Sequence, residues 1–353
     1  MAISNQKKEQ IAEVVIKILY SRFESFPQDA SGNRNAPFHE AFLNAFSDKF
    51  DEKVTDIPFF ISMSSWLHGL NTTMGQTFFE SVAHILSDGD KREFISGAGR
   101  AGVLQITSQQ KKAASDIITK LSNSEATPNL DNSNSLLFVP DTPPFTNAID
   151  FSADVFLETN DEIIAIELKS VKPNSGEMRG EKQKILEGKA ALYRHYPGKD
   201  IKFYIGFPFD PTTDPNDPTS YDKVRFTASI INMDKYFDHR EVLLASELWD
   251  YLSGDTSTME QILSIINSIA TPTFMADFAF LCDNSNRNID KQRYRQLLEK
   301  WHLASELEVL DNQEAILEKI GTNKRLQKVY YKSMFCSNKS YNKERALTLM
   351  RLL

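Results

Sequence analysis

Asp154-Val-Phe-Leu-Glu-Thr-Asn-Asp-Glu-Ile-Ile-Ala-Ile-Glu167-Leu-Lys169-Ser-Val-Lys172-Pro173 reads as two β-prone runs around a tight turn. Val155–Leu157 and Ile163–Leu168 are apolar and rich in residues that favour strands. Asn160-Asp161 between them suits the positive φ angles of a two-residue hairpin loop. With those two as the loop, Thr159 pairs with Glu162. Counting outward then sets Asp154 opposite Glu167. Side chains alternate along a strand, so Glu167 and Lys169 share the face of Asp154, while Ile164, Ile166 and Leu168 turn toward a core. A slip of one residue would undo the convergence. A rival aspartate, Asp150, falls opposite Val171 in the same count, beyond the pair, so Asp154 is preferred.

Two carboxylates and one ammonium at a single point have a definite chemistry. Hard carboxylate oxygens suit Mg²⁺, which also keeps waters and takes phosphate oxygens. A bound metal lowers the pKa of a coordinated water and neutralises charge on a phosphate. The lysine orients the attacking water or stabilises the developing negative charge. Asp154, Glu167 and Lys169 are therefore read as a catalytic trio for metal-dependent phosphodiester hydrolysis, with Asp154 and Glu167 as metal ligands.

Composition sets the bounds. The 353 residues suffice for one large domain or two ordinary ones, and 41% hydrophobic with 25% charged residues fits a soluble globular protein. No apolar run is long enough to span a bilayer, and the first residues carry no apolar signal core. Cys282 and Cys336 are the only cysteines, which implies no disulfide framework or zinc cluster and fits a reducing cytoplasm. The formal net charge of -8 argues against non-specific nucleic-acid binding, but the local distribution of charge decides that question. The histidines are scattered without zinc spacing, and no phosphate-binding loop with Gly-Lys-Ser/Thr occurs. Gly97-Ala-Gly99-Arg-Ala-Gly102 has no clear strand before it and reads as a flexible loop rather than a dinucleotide site.

Apolar spacing predicts helices over 10–23, 38–50, 75–86 and 107–121, then a polar loop over 122–135. After the hairpin come a helix over 180–193, a strand over 201–207, a Pro/Asp loop at 210–218 and a strand candidate over 224–231. From residue 241 the chain reads almost entirely helical. This order fits an α/β fold, a mixed central sheet flanked by helices with helical additions at both ends. The expected division is a catalytic domain over 1–240 and a helical region over 241–353 that contacts DNA or dimerises. The basic, tyrosine-bearing stretch from Lys319 to Arg351 fits either a DNA-backbone contact or a charged helix face.

An acidic residue ahead of a short strand, then Glu-x-Lys closing the next, resembles the PD-(D/E)XK nuclease superfamily. Ala153 stands where the motif's nominal proline would be. Lys172-Pro-Asn174 after the motif, the Lys/Gln-rich helix near Gly180, Ile205-Gly-Phe-Pro-Phe-Asp-Pro211, Pro37-Phe-His39 and Gly75-Gln-x-Phe-Phe-Glu80 resemble the TdeIII group of type II restriction endonucleases. The resemblance covers roughly residues 1–240. It implies Mg²⁺-dependent cleavage of both strands of double-stranded DNA at a short palindrome, of the GGNCC type, by a homodimer partnered by a cognate DNA methyltransferase. It also implies a metal-shell role for Glu80. Lys172, Asn174, Lys182, Gln183 and Lys184 are expected to line the cleft and touch phosphates, supplying the positive field that the net charge lacks. Two other readings of the trio are a repair or mobile-element nuclease and an inactive DNA-binding relative.

Overall fold

The computed structural model describes residues 3–28, 41, 43, 56–96, 102–169 and 175–353. The expected helix over 38–50, Pro37-Phe-His39, the glycine-rich loop up to residue 101, and Lys172 and Asn174 lie outside the described residues. Two compact units form. One comprises Met1–Ile3 and Phe79–Ile262, the other Ser4–Phe78 and Leu263–Leu353. Residue 240 falls inside the first unit, where the strand and helix that follow it complete the sheet.

The first unit is built on a five-stranded sheet. Its strands are β1 (Asp90–Phe94), β4 (Phe151–Glu158), β5 (Glu162–Leu168), β6 (Asp200–Phe207) and β7 (Val242–Leu244), in that spatial order. β2 (Gln105–Thr107) and β3 (Phe145–Asn147) pair separately as a small ladder. β1, β4 and β5 run antiparallel, whereas β5, β6 and β7 are parallel, so the sheet is mixed. The parallel step from β5 to β6 needs a long crossover, supplied by the Ser175–His195 helix.

The β4–β5 hairpin has the register expected from its turn. Val155 pairs with Ile166, Phe156 with Ala165, Leu157 with Ile164 and Glu158 with Ile163. The Thr159 amide donates to the Glu162 carbonyl at 3.0 Å, closing the ladder at the turn. The burial pattern is fuller than simple alternation, however. Ile163, Ile164, Ala165 and Ile166 are all buried, as befits a central strand covered on both faces. β5 opens toward solvent only at its ends, at Glu162 and from Glu167 onward.

Helices lie close on the sheet where glycine permits. A Cβ on Gly188, in the crossover helix, would stand 2.8 Å from the Phe203 ring and 3.2 Å from Phe151. A Cβ on Gly206 in β6 would press on Ile166 and Leu168 at 3.0 Å and on Leu248 at 3.2 Å. Leu248 belongs to the Ser246–Ser253 helix, whose Trp249 is buried with its ring N–H donating to the Pro208 carbonyl at 2.8 Å.

Several expectations are corrected. The 122–135 stretch is not all loop, because Asn129 caps a helix over Leu130–Leu137 by accepting from the Asn132 amide. The 224–231 strand is instead a helix, Lys223–Ser229, started by Asp222 accepting from the Arg225 amide. Its β-branched residues were outweighed by that cap. The helix read over 75–86 is a π-helical turn, Met74–Phe79, leading into an α-helix over Glu80–Ser87. A helix over Ile57–Thr73 and the strands β1, β2 and β3 had no expectation attached to them, and β7 falls in the stretch from residue 241 that was expected to be almost entirely helical.

The second unit is helical among its described residues. Its core includes Val309, Ile316, Ile320, Tyr330 and Leu349, and Phe274 stacks on Trp301 with ring centres 5.4 Å apart. The basic C-terminal stretch divides there. Arg345 is buried against Glu306, which also accepts from the Tyr341 hydroxyl, and Lys343 pairs with Glu13 at 3.0 Å. Lys319, Lys324, Arg325, Lys328 and Lys332 are exposed. No single helix among the described residues is long and apolar enough to cross a membrane.

Candidate active site

Asp154 sits at an irregularity in β4. Against β1, Asp90 pairs with Phe156 but Arg92 pairs with Ala153, so Lys91 alone faces the two residues Asp154 and Val155. This is a β-bulge, a device that redirects a side chain. The Asp154 carboxylate is held from several sides. Its Oδ2 accepts the Leu168 amide at 2.9 Å, which fixes it to the end of β5. Its Oδ1 meets the Lys91 ammonium at 2.9 Å. Its backbone carbonyl accepts from His84 Nε2 at 2.6 Å, so that ring nitrogen carries the proton.

His84 and Glu80 lie one helical turn apart on the Glu80–Ser87 helix. The His84 bond therefore anchors the segment that presents Glu80. Both Glu80 oxygens lie against Lys91 Nζ, at 3.3 and 3.2 Å. Lys91 thus bridges Asp154 and Glu80. Burial disfavours its ammonium, but the Asp154 and Glu80 carboxylates more than offset that, and its pKa stands above the ordinary value.

Glu167 and Lys169 build a second cluster beside the first. The hairpin register, continued by one residue beyond Val155–Ile166, sets Glu167 opposite Asp154. Lys169 Nζ lies 3.2 Å from Glu167 Oε1 and 3.2 Å from Glu181 Oε1. Ser152 Oγ donates to Glu167 Oε2 at 3.4 Å. Burial, then repulsion from Asp154, pushes the Glu167 carboxyl up to about 7 despite the neighbouring lysine. Lys169 is also raised: burial lowers it, but Glu167 and Glu181 outweigh burial.

The donor set is that of a hard divalent cation, all carboxylate oxygens. Yet among the described residues no three carboxylate, histidine or cysteine side chains converge closely enough to hold a metal together. The carboxylates stand instead in two pairs, Asp154 with Glu80 and Glu167 with Glu181, each spanned by a lysine.

The expected cleft residues part ways. Lys184 is half exposed and pairs with Glu181 at 3.1 Å, so it stays beside the site. Gln183 donates to Glu187 at 3.2 Å along its own helix. Lys182 does not reach the cleft. It is 1% exposed, 2.5 Å from Glu241, with its ammonium over the Phe237 ring. It turns to the core because adjacent helical positions diverge by about 100°, and Glu181 already takes the site-facing position. Sequence reasoning missed Lys91, His84 and Glu181. Glu177 and Glu181, one turn apart after the motif, offered a faint signal for the last of these; Lys91 offered none, being set by long-range strand pairing.

The chain was compared with known proteins. A family model described as "Type II restriction endonuclease, HinfI" matches residues 3–270. The type II restriction enzyme MjaII of Methanocaldococcus jannaschii is 40% identical over 370 aligned positions, spanning 100% of this chain and 98% of the relative. The matching family model is the HinfI one, where the Lys172-Pro-Asn174 extension had pointed to the TdeIII group.

Proposed function

We propose the following reaction for a chain that belongs to the HinfI family of type II restriction endonucleases and is therefore a site-specific DNA endonuclease. It hydrolyses a phosphodiester in each strand of double-stranded DNA at a short palindrome of the GGNCC type, on a PD-(D/E)XK scaffold, in the cytoplasm. The observation that carries this reading is the hairpin register that opposes Asp154 and Glu167 and brings Lys169 to the same end of β5.

Asp154 and Glu167 would hold Mg²⁺, and Glu80, now turned to Lys91, would join them only by leaving that lysine. The ion, when bound, would supply an acidified water and charge neutralisation at the phosphate. The chain's own residues do the rest. Leu168 N–H and His84 fix Asp154 in place through its carboxylate and its carbonyl. Glu167, which would share the ion with Asp154, is held beside it by Ser152 and Lys169. Lys169, steadied by Glu181, orients the attacking water and stabilises negative charge building on the phosphate. Lys172, Asn174, Gln183 and Lys184 contact backbone phosphates of the bound DNA. A palindromic target calls for a two-fold homodimer, and protection of host DNA for a partner methyltransferase.

Incubation with a plasmid of known sequence and Mg²⁺, followed by mapping of the ends, tests this directly. Discrete fragments sharing one palindromic end sequence are expected. Random or structure-dependent cuts would instead favour a repair or mobile-element nuclease.

A further inference from the structure

We propose that Lys91, which bridges Asp154 and Glu80, competes with a divalent metal for the Asp154 carboxylate and must be displaced when the metal binds. The inference rests on the metal site proposed above. Its geometry is specific. Oδ2 of Asp154 accepts the Leu168 amide at 2.9 Å, and Lys91 Nζ occupies the other oxygen, Oδ1, at 2.9 Å. The same ammonium lies within 3.3 Å of both Glu80 oxygens. It therefore occupies the Asp154 oxygen that the proposed ion would also use, and holds Glu80 against it.

The placement comes from the backbone. Lys91 is the one β1 residue opposite the two-residue bulge at Asp154 and Val155, so strand pairing aims it at this point. Stability does not account for the arrangement, because a partly exposed ion pair contributes little. Its side chain is 39% exposed, against 22% for Glu80 and 11% for Asp154. The ammonium can swing outward into water while the Asp154 carboxylate stays anchored on the Leu168 amide. A divalent ion, with twice the charge on the same oxygens, is the natural successor; two cations cannot share them without strong repulsion.

Mn²⁺ binding to the full-length, DNA-free protein, followed by titration calorimetry, tests the inference without measuring cleavage. Lys91→Met and Lys91→Gln remove the competing charge at similar length. Each is expected to tighten Mn²⁺ at least about tenfold, equivalent to roughly 1.4 kcal/mol, whereas Lys91→Arg keeps the competitor and is expected to leave affinity near that of wild type. Unchanged or weaker binding in both neutral variants, with native circular dichroism in at least one, overturns the displacement. Asp154→Asn separates this from the parent reading. If it abolishes Mn²⁺ binding in the wild-type and Lys91→Met backgrounds, the site stands; if it leaves binding intact, the metal site itself is misassigned and the inference falls with it.

Discussion

Glu181 and Lys182 are neighbours on one helix and belong to opposite worlds. Glu181 faces the open end of β5 and shares Lys169 with Glu167. Lys182 faces the core, where it and Lys189 both clasp Glu241, at 2.5 and 3.2 Å. The rear cluster is nearly dry: Glu241, Lys182 and Lys189 are each 1% exposed. Burial pushes the Glu241 carboxyl up, but its two ammonium partners hold it below its ordinary value, and burial keeps Lys189 below its own. The front cluster has the reverse imbalance, with Glu167 driven up by burial and by Asp154. One helix thus carries a cation-rich cluster that fastens it to the turn before β7 and an anion-rich cluster able to take up a cation. The difference lies in what surrounds each charge, since the side chains are of the same two types.

Four experiments can break or sharpen this contrast. The largest effect is expected at the front. Asp154→Asn, Glu167→Ala and Lys169→Ala should each lower cleavage by roughly 10³-fold or more, with unfolding midpoints little changed. A variant that cuts plasmid DNA at the wild-type rate would remove that residue from the site. At the rear, Glu241→Ala leaves two buried ammonium groups without their carboxylate and should cost about 3–5 kcal/mol in urea unfolding. Cleavage per folded molecule should be retained, and a loss of activity without loss of stability would contradict the assigned role. Glu181→Gln is intermediate. It removes one brace of Lys169 and should lower kcat roughly 10–100-fold, in the range seen for groups that orient metal-site residues. A fall confined to KM would mean that Glu181 acts on binding instead.

The smallest effect is a pH dependence of stability. The Glu167 carboxyl, ordinarily near 4.5, is pushed to about 7 in the folded protein. Between those values the folded state holds a proton that the unfolded chain has released. Stability of the metal-free protein from this group is therefore full below about pH 4.5 and is lost as pH rises through about 7. Unfolding midpoints in a chelator at pH 5 and pH 8 should differ less for Glu167→Gln than for wild type. Equal differences in the two proteins would show that Glu167 does not titrate in that window.

The sequence revealed what is local. Asn160-Asp161 set the hairpin register, and the register alone favoured Asp154 over Asp150 as the partner of Glu167. The crossover helix and β6 were visible for the same reason, as continuous patterns over neighbouring residues. Long-range placement was not visible. Lys91 reaches Asp154 through pairing between strands some sixty residues apart, and a Lys in Asp90-Lys-Arg-Glu-Phe94 looks like any polar edge residue. Lys182 misled because a lysine is usually solvated, and only Glu241, fifty-nine residues away, makes its burial tolerable. Cap residues also decided where propensity pointed elsewhere, as Asp222 shows for the helix that had been expected to be a strand.

The bulge at Asp154 and Val155 has a consequence for how this site can change over time. β4 meets β1 in two frames, one over Phe151–Ala153 and one, shifted by a residue, at Phe156, while it keeps a single frame with β5 from Val155 to Glu158. Point substitutions leave both frames intact. Loss of a single residue at the bulge would merge them, straightening the strand and moving Asp154's neighbours to the wrong side of the sheet. Descendants of this chain are thus closed to length changes within the bulge, whatever substitutions its function tolerates. Insertions can instead accumulate at the Asn160-Asp161 turn, where the strand has already ended.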